Sequence, residues 1–310
     1  MQEVFASNLV ELGSKYQNLV VLNGNCEQYL GEFASHFSER NFNLGLAESN
    51  MVGASCGFAA LGKVPFVVGN SAFLIGKAWQ QIRNDLCYPN LNVKIIGFGA
   101  GFDNGPEGAA MQCFEDIALM RSLPNMKVVV PSGPREVAGA MEAMMRDFGP
   151  TYLRLSSVSA GVLGHAASHG TRAPHSRLET ADFQFGRGVV VRDGSDICLF
   201  TCGKMVRRCL QVAKMLAREG IEARVVNLAS VKPLDVQLVE RCGKEIEKCV
   251  VVEEHSVIGG LGAAVAEVLG KKVMRIGVAD TFGESGRVEL LERKYGLDVE
   301  SVFEKVRGAC

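Results

Sequence analysis

The sequence has no long hydrophobic run, no excess of charge of either sign and no signal-like start. No apolar stretch reaches the ~18–20 residues that a membrane-spanning helix needs, and the first residues carry neither the basic nor the apolar region of a signal peptide. The 33 basic and 34 acidic residues leave a net charge of −1, which favours neither nucleic acid nor an anionic membrane as a partner. We therefore expect a cytoplasmic protein with no membrane and no nucleic-acid partner.

Paired cysteines and clustered metal ligands are also missing. None of the ten cysteines falls in a Cys-x-x-Cys pair, and most lie in apolar segments, which is typical of buried free thiols in a reducing compartment. There are only five histidines. Three of them, His165, His169 and His175, share one polar stretch that predicts a loop. We predict no metal ligand in this chain.

Nucleotide-binding glycine motifs are absent as well. The sequence has neither Gly-x-Gly-x-x-Gly after a first strand nor a Gly-x-x-x-x-Gly-Lys-Ser/Thr loop. The glycine-rich stretch 257–262 comes late in the chain and better fits close packing of a helix on a strand.

What the sequence does contain is a regular alternation of short β-branched runs and helical patterns. In the first half, strands are predicted at 18–22, 65–68, 93–98, 127–130 and 152–155, with helices near 50–61, 76–86, 114–122 and 134–147. In the second half, strands are predicted at 189–191, 197–201, 223–227, 249–253 and 273–276, with helices near 204–219, 235–244, 260–269 and, interrupted at 295–296, 288–305. This alternation predicts an α/β fold of two three-layer α/β/α domains, each with a mostly parallel central sheet.

The domain boundaries follow from the place where the alternation stops. Ser, Gly, His, Thr and Pro crowd into the middle of the chain without periodicity, which is typical of a connection between domains. We predict domains at 1–160 and 188–310, joined by a linker at 161–187.

Glu48 is the most informative single residue. It is a lone carboxylate among small and apolar neighbours, where a short strand pattern changes to the pattern of an apolar helix. Burying an unpaired charge is costly, so this carboxylate either acts in chemistry or is a structural acid at the start of a buried helix. The segment alone leaves both interpretations open.

Several further segments carry a family resemblance. They are 70–84, 99–112 and 113–126 in the first half and 252–262 and 282–286 near the end. At these residues the chain resembles the transketolase family. It is most similar to the C-terminal (small, or β) subunit of split transketolases, in which two polypeptides make up the enzyme, and the resemblance covers nearly the whole chain.

The resemblance implies a thiamine diphosphate enzyme. Residues 1–160 would be its pyrimidine-binding domain, and 188–310 the family's C-terminal domain. Glu48 would be the catalytic acid that hydrogen-bonds N1′ of the aminopyrimidine, and Phe73 would stack on that ring. The resemblance places further cofactor contacts at Asn25, Cys26 and Gln81.

The other half of the cofactor site is not in this sequence. The family binds the diphosphate and Mg²⁺ through a Gly-Asp-Gly motif, and this chain has none. Mg²⁺ needs oxygen ligands. The resemblance therefore implies a partner, the N-terminal transketolase subunit with the diphosphate-binding domain, in an α2β2 assembly with the active site at the interface.

The substrate side departs from common transketolases. The resemblance assigns substrate contacts to Glu107, Met111, Gln112 and Ser157. Arg154, close to Ser157 in the sequence, is a further candidate for contact with an anionic group of the substrate, and its alternative is a partly buried structural cation. The family's histidine becomes Met111, its aspartate becomes Glu107 and its phosphate-binding arginine becomes Ser157. A thioether donates no hydrogen bond, and serine lacks the bidentate grip of arginine. We expect a specialised paralogue that moves a two-carbon ketol unit between a ketose donor and an aldose acceptor, small sugars or sugar phosphates, with an altered substrate site.

Two alternatives remain open. One is a different thiamine enzyme with the same domain pair, namely the β subunit of a 2-oxoacid dehydrogenase or a 1-deoxyxylulose-5-phosphate synthase. The other is a regulatory remnant that binds a partner without catalysis.

Overall fold

The structure, a computed structural model, describes residues 1–156 and 183–310. Its helices are α1 (Gln2–Lys15), α2 (Phe33–His36), α3 (Glu48–Ala60), α4 (Ser71–Gln81), α5 (Asp116–Arg121), α6 (Pro134–Arg146), α7 (Met205–Arg218), α8 (Val236–Glu245), α9 (Leu261–Leu269), α10 (Val288–Lys294) and α11 (Val299–Arg307). Its strands are β1 (Leu19–Asn23), β2 (Asn41–Asn43), β3 (Val64–Asn70), β4 (Lys94–Phe98), β5 (Lys127–Val129), β6 (Thr151–Leu155), β7 (Val189–Arg192), β8 (Ile197–Thr201), β9 (Ala223–Asn227), β10 (Ser230–Lys232), β11 (Cys249–Ser256) and β12 (Met274–Val278). We call residues 1–156 the N-terminal unit and residues 183–310 the C-terminal unit.

Each unit is built around one mostly parallel sheet. The first has the order β10-β5-β6-β4-β3-β1-β2, and the second has the order β12-β11-β8-β9-β7. Every neighbouring pair is parallel except β10–β5 and β7–β9, which are antiparallel. Strands β1, β4, β6 and β8 are buried along their whole length, because helices cover both faces. The predicted α/β fold with two mostly parallel sheets is confirmed.

Three apolar clusters fill the layers between sheets and helices. Helices α1 and α6 pack on one face of the first sheet, and α7 and α11 pack on the outer face of the second. The largest cluster joins α3, α4 and α5 of the N-terminal unit to α8 and α9 of the C-terminal unit. The core is therefore continuous across the junction of the two units.

The predicted strands and helices match observed elements to within a few residues. Four observed elements were not predicted, namely helices α1 and α2 and the three-residue strands β2 and β10. The helix expected from residue 76 begins five residues earlier, because the Asn70 side chain caps it by accepting a hydrogen bond from the Ala72 N–H at 2.9 Å. The π-helical turn Ile82–Cys87 then continues this helix.

Strand β10 belongs to the second half of the chain but completes the first sheet. It pairs antiparallel with β5, and the Lys232 ammonium donates a hydrogen bond to the Arg121 carbonyl oxygen at 2.9 Å. It thereby covers a sheet edge that would otherwise present unpaired backbone groups. Most of the predicted linker, including its three histidines, lies outside the described residues.

In residues 1–156 and 183–310, no helix has the length and apolar character to span a membrane.

Candidate active site

A cavity of about 220 Å³ opens where β1, β2, β3 and β4 end. Parallel α/β sheets bind their ligands at this carboxyl edge, and the loops that follow the four strands form the walls. Six predicted site residues line the cavity together, namely Asn25, Cys26, Glu48, Phe73, Glu107 and Met111.

Glu48 is the first residue of α3 and is only 4% exposed. One of its carboxylate oxygens, Oε2, lies 2.6 Å from the Lys77 ammonium. This contact is an ion pair, and Oε2 has no further donor among the described residues. Buried acceptors without donors are uncommon. The carboxylate thus faces the cavity with unused capacity to accept a hydrogen bond.

The loops after β1 and β2 are held by two asparagines that are paired across these strands. The Asn23 side-chain oxygen accepts a hydrogen bond from the Cys26 N–H at 3.1 Å. The Asn43 side-chain oxygen accepts from the Asn25 N–H at 3.2 Å and from the Gly45 N–H at 2.9 Å. The polar ends of the two strands therefore fix the backbone on both sides of the cavity.

Cys26 contributes a buried thiol to the wall. Burial, together with the nearby Glu27 and Glu48 carboxylates, raises the pKa of the Cys26 thiol. The protonated thiol donates a hydrogen bond to the Gly24 carbonyl oxygen at 3.3 Å. Because thiolates are the reactive form, this raised pKa favours a thiol that shapes the cavity over a nucleophile.

Phe73 and Lys77 lie one turn apart on α4, so their side chains meet on one helix face. The Lys77 ammonium lies 5.4 Å from the centre of the Phe73 ring. Phe73 is half-buried and presents its ring to the cavity. Lys77 thereby links the aromatic side chain to the buried Glu48 carboxylate.

Residues 99–113, which we call the active-site loop, form the remaining wall. The Asn104 side-chain amide donates hydrogen bonds to the Gly99 carbonyl oxygen at 3.2 Å and to the Met111 carbonyl oxygen at 3.0 Å. The Gly101 N–H donates to the Cys113 carbonyl oxygen at 2.7 Å. These bonds close the loop on itself and bring Glu107 and Met111 to the cavity.

Four predicted site residues remain, and the three of them that the structure describes do not line the cavity. Gln81 is the last residue of α4. Gln112 donates a hydrogen bond to the Glu284 carbonyl oxygen at 2.9 Å and so faces the C-terminal unit. Ser157 lies outside the described residues.

Arg154, the fourth, is engaged in a buried ion pair. Its Nε donates a hydrogen bond to Asp116 Oδ2 at 2.7 Å, and its Nη2 donates to the Glu254 carbonyl oxygen at 2.9 Å. Burial opposes the charge, but the carboxylates of Asp116 and Glu254 outweigh it and raise the pKa of Arg154. Arg154 therefore joins the two units.

Sequence reasoning missed several residues of the site. Lys77 has a detectable signal, since it follows the aromatic Phe73 by one helical turn. Asn70 has the signal of a helix cap. Tyr29, whose ring lies parallel to that of Phe98 at 4.0 Å, is the last residue of a short 3₁₀ turn that no local pattern predicts.

The cavity fits the pyrimidine half of thiamine diphosphate by the chemistry of its walls. It offers an aromatic face at Phe73 and, at Glu48, a carboxylate acceptor that only the Lys77 ammonium approaches in the described part of the chain, as an aminopyrimidine ring requires. In the described part of the chain, no three His, Cys, Asp or Glu side chains are grouped so that they could hold a metal ion.

Comparison with known protein families gives two matches. The transketolase pyrimidine-binding domain matches residues 1–160, and the transketolase C-terminal domain matches residues 186–302.

Individual relatives agree with the family matches. A putative transketolase C-terminal section of Methanocaldococcus jannaschii is 38% identical over 99% of this chain and 95% of its own length. A 6-deoxy-6-sulfo-D-fructose transketolase subunit of a Clostridium species is 32% identical over 97% of this chain and 92% of its own length. A 1-deoxy-D-xylulose-5-phosphate synthase of Caldanaerobacter subterraneus is 30% identical over 98% of this chain, which spans 48% of that enzyme.

A solved structure agrees as well. A split-gene transketolase in an inactive β4 tetramer superposes with a TM-score of 0.85 at 39% identity, over 99% of this chain and 96% of that one. The chain therefore belongs to the transketolase family and has the domain pair of the C-terminal subunits of split transketolases.

Proposed function

We propose that this chain is the pyrimidine-binding subunit of a thiamine diphosphate-dependent transferase that moves a two-carbon ketol unit from a ketose to an aldose. The observation that carries the proposal is Glu48, a carboxylate that is 4% exposed, lines the cavity and has an oxygen with no donor among the described residues apart from the Lys77 ammonium. The fold and the relatives supply the reaction class, and the position of Glu48 supplies a role for this chain in it.

Bound thiamine diphosphate would supply a carbon nucleophile that adds to the ketose carbonyl group. The Glu48 carboxylate would accept a hydrogen bond from the aminopyrimidine ring nitrogen and hold a proton there. An apolar environment strengthens such a bond because the local dielectric is low. Lys77 supports the arrangement, since a buried carboxylate without an opposite charge nearby is costly.

The other cavity residues would orient the ring and exclude water from it. Phe73 would stack on the pyrimidine, and Cys26 and Asn25 would border its edge. Gln81 remains a proposed cofactor contact only through the family resemblance, because it does not line the cavity.

A second subunit would supply what this chain lacks. The sequence has no Gly-Asp-Gly motif, so we propose that the diphosphate and Mg²⁺ are held by an N-terminal transketolase subunit in an α2β2 complex. Both the sulfosugar transketolase relative and an apulose-4-phosphate transketolase relative from Phocaeicola vulgatus are named as subunits, which supports a two-polypeptide enzyme.

The substrate side points to a specialised sugar. The described residues that line the cavity include two carboxylates, Glu48 and Glu107, and no lysine or arginine. Such a wall suits the hydroxyl groups of an unphosphorylated ketose or aldose better than a phosphate. Met111 adds an apolar surface in place of a hydrogen-bond donor.

The test is a comparison of phosphorylated and unphosphorylated substrates on the reconstituted two-subunit enzyme. We expect ketol transfer from D-xylulose to D-ribose to have a kcat/KM at least equal to that for the two 5-phosphates. Efficient turnover of the 5-phosphates alone would refute the substrate assignment and leave the ketol-transfer reaction standing. No ketol transfer from any ketose or from hydroxypyruvate would refute the reaction itself.

The similarity to 1-deoxy-D-xylulose-5-phosphate synthases supports a second candidate reaction. That enzyme class condenses pyruvate with an aldehyde and releases CO₂. Incubation of the complex with pyruvate and glyceraldehyde 3-phosphate distinguishes the two, because only the synthase reaction releases CO₂ from pyruvate.

We also propose a cytoplasmic location. All ten cysteines are free, and nine of them are buried, as expected for a protein in a reducing compartment.

A further inference from the structure

Two aromatic side chains, one near the start of the active-site loop and one directly after its end, are embedded in the core of the C-terminal unit. Phe102 is fully buried and Phe114 is 6% exposed, and both belong to the apolar cluster of α7 and α11. Their rings meet edge to face at 4.6 Å, and the Phe102 ring lies 5.0 Å from that of Tyr295. The loop thus follows a strand of the N-terminal unit but is anchored on both sides in the core of the C-terminal unit.

A buried ionic cluster holds the first end of the loop. Glu254 Oε1 accepts a hydrogen bond from the Phe102 N–H at 3.0 Å. The Lys204 ammonium lies 2.6 Å from that same oxygen, 3.1 Å from Asp103 Oδ1 and 3.2 Å from Glu292 Oε1. Three carboxylates on three chain segments therefore share one buried cation, and one of them belongs to the loop.

The segment 282–286 of the C-terminal unit holds the middle and the second end of the loop. The Gln112 side-chain amide donates to the Glu284 carbonyl oxygen at 2.9 Å, and the Gly286 N–H donates to the Gly105 carbonyl oxygen at 3.0 Å. The two segments approach so closely that a Cβ atom added to Gly283 would overlap Gln112 Oε1.

The tip of the loop makes fewer contacts with the C-terminal unit. Among residues 107–110 only Gly108 is buried, against Ser285, whereas Glu107, Ala109 and Ala110 are exposed. Glu107 and Met111 reach the cavity. The position of these two side chains relative to a substrate is therefore set by the anchors in the C-terminal unit.

We propose that the C-terminal unit positions the active-site loop for substrate, and that Gln112 is the positioning residue through which it does so. This rests on the proposed ketol-transfer function and deepens it. It gives the C-terminal unit a role in substrate binding, although none of its residues lines the cavity among those that the structure describes. It also gives Gln112 a role through the loop in place of direct contact with the sugar.

The first test replaces Gln112 with methionine in the reconstituted two-subunit enzyme. Gln112→Met keeps the side-chain volume and removes the amide that donates to the Glu284 carbonyl oxygen. It also removes Oε1, which is buried without a donor among the described residues, and this offsets part of the cost of losing the amide. We expect KM for hydroxypyruvate, with glycolaldehyde as acceptor, to rise roughly tenfold to a hundredfold, as small misplacements of positioning groups do. The Kd for thiamine diphosphate stays that of wild type, because Glu48 and Phe73 lie on other elements. Gln211→Met, on the exposed face of α7, is the matched control and leaves both constants unchanged.

The second test disrupts the contact between Gln112 and segment 282–286 by a change in that segment. In Gly283→Ala the added methyl group displaces the Gln112 side chain while the loop sequence stays intact. We expect the same rise in KM as in Gln112→Met. The double variant should be no worse than either single one, because both changes disrupt one contact. Fully additive effects would show two independent sites and overturn the proposal.

Hydrogen exchange separates this proposal from the reaction on which it rests. The Gly101, Glu107 and Met111 amides donate hydrogen bonds within the loop, and in Gln112→Met they should exchange at least tenfold faster while those of β3 and β4 do not change. Unchanged exchange in the loop, or exchange that rises equally throughout the protein, overturns the positioning role. If exchange rises only in the loop of Gln112→Met but the wild-type enzyme shows no ketol transfer, the anchoring stands and the proposed function is refuted.

Discussion

Replacing Glu48 by glutamine tests the central role that the structure gives to this residue. The amide has almost the same shape as the carboxylate but no charge, so the packing around a side chain that is 4% exposed is preserved. Holding a proton at the right position in a reaction typically contributes 10²–10⁴-fold to the rate. We expect kcat of the reconstituted enzyme to fall by about that factor.

Stability should change far less than activity. The charge lost from Glu48 leaves Lys77 without its partner, but the Lys77 side chain is 53% exposed and remains solvated. Losing an ion pair of this kind costs at most about 1 kcal/mol, which lowers Tm by roughly 2–4 °C.

The assay measures ketol transfer, the Kd for thiamine diphosphate and Tm on the same preparations. Glu11→Gln, an exposed glutamate of α1, serves as the control for loss of one negative charge and should match wild type in all three. A Glu48→Gln enzyme that keeps its fold and turns over within threefold of wild type would refute the catalytic role. It would then favour the alternative of a purely structural acid.

Three further changes test other parts of the structure. Phe73→Leu keeps an apolar wall but loses the aromatic face, so the Kd for thiamine diphosphate should rise about three- to tenfold; calorimetric titration decides, and an unchanged Kd would contradict stacking. Arg154→Met leaves Asp116 buried without its cation and should lower the free energy of unfolding by about 3–5 kcal/mol in urea titration. A loss below about 1 kcal/mol would contradict a structural role for this ion pair. Burial lowers the pKa of Lys94 to about 7. Between that value and the lysine reference of about 10.5, the unfolded chain therefore binds more protons than the folded one. The free energy of unfolding should rise with pH across this window by up to about 1.4 kcal/mol per pH unit, and the rise should be smaller in Lys94→Met.

The fold was largely predictable from the sequence because its central strands are buried on both faces. Such strands are continuous apolar runs, as in β4 and β8, and they stand out from the helical patterns between them. The three-residue strands β2 and β10 carry no such signal. Their pairing depends on neighbours far away in the chain, which local patterns do not report.

The candidate site was predictable only where the chemistry depends on single residue types. Glu48 stands out because a carboxylate is unexpected in an apolar segment. Gln112 was predicted from its place in a motif, and Arg154 from its closeness in the sequence to Ser157. Their contacts with Glu284 and Glu254 depend on how the two units pack, and no pattern within either segment encodes that packing.

Strand β10 has a consequence for how this protein can be divided or recombined. A cut between the two units would remove the strand that covers β5 and would split the apolar cluster shared by α5 and α8. The N-terminal unit alone would then present an open, apolar sheet edge, a known route to aggregation. A chimera that takes residues 188–310 from a relative must therefore also match β5 and α5 to the incoming β10. The two halves therefore have to be exchanged together, although their sheets are separate.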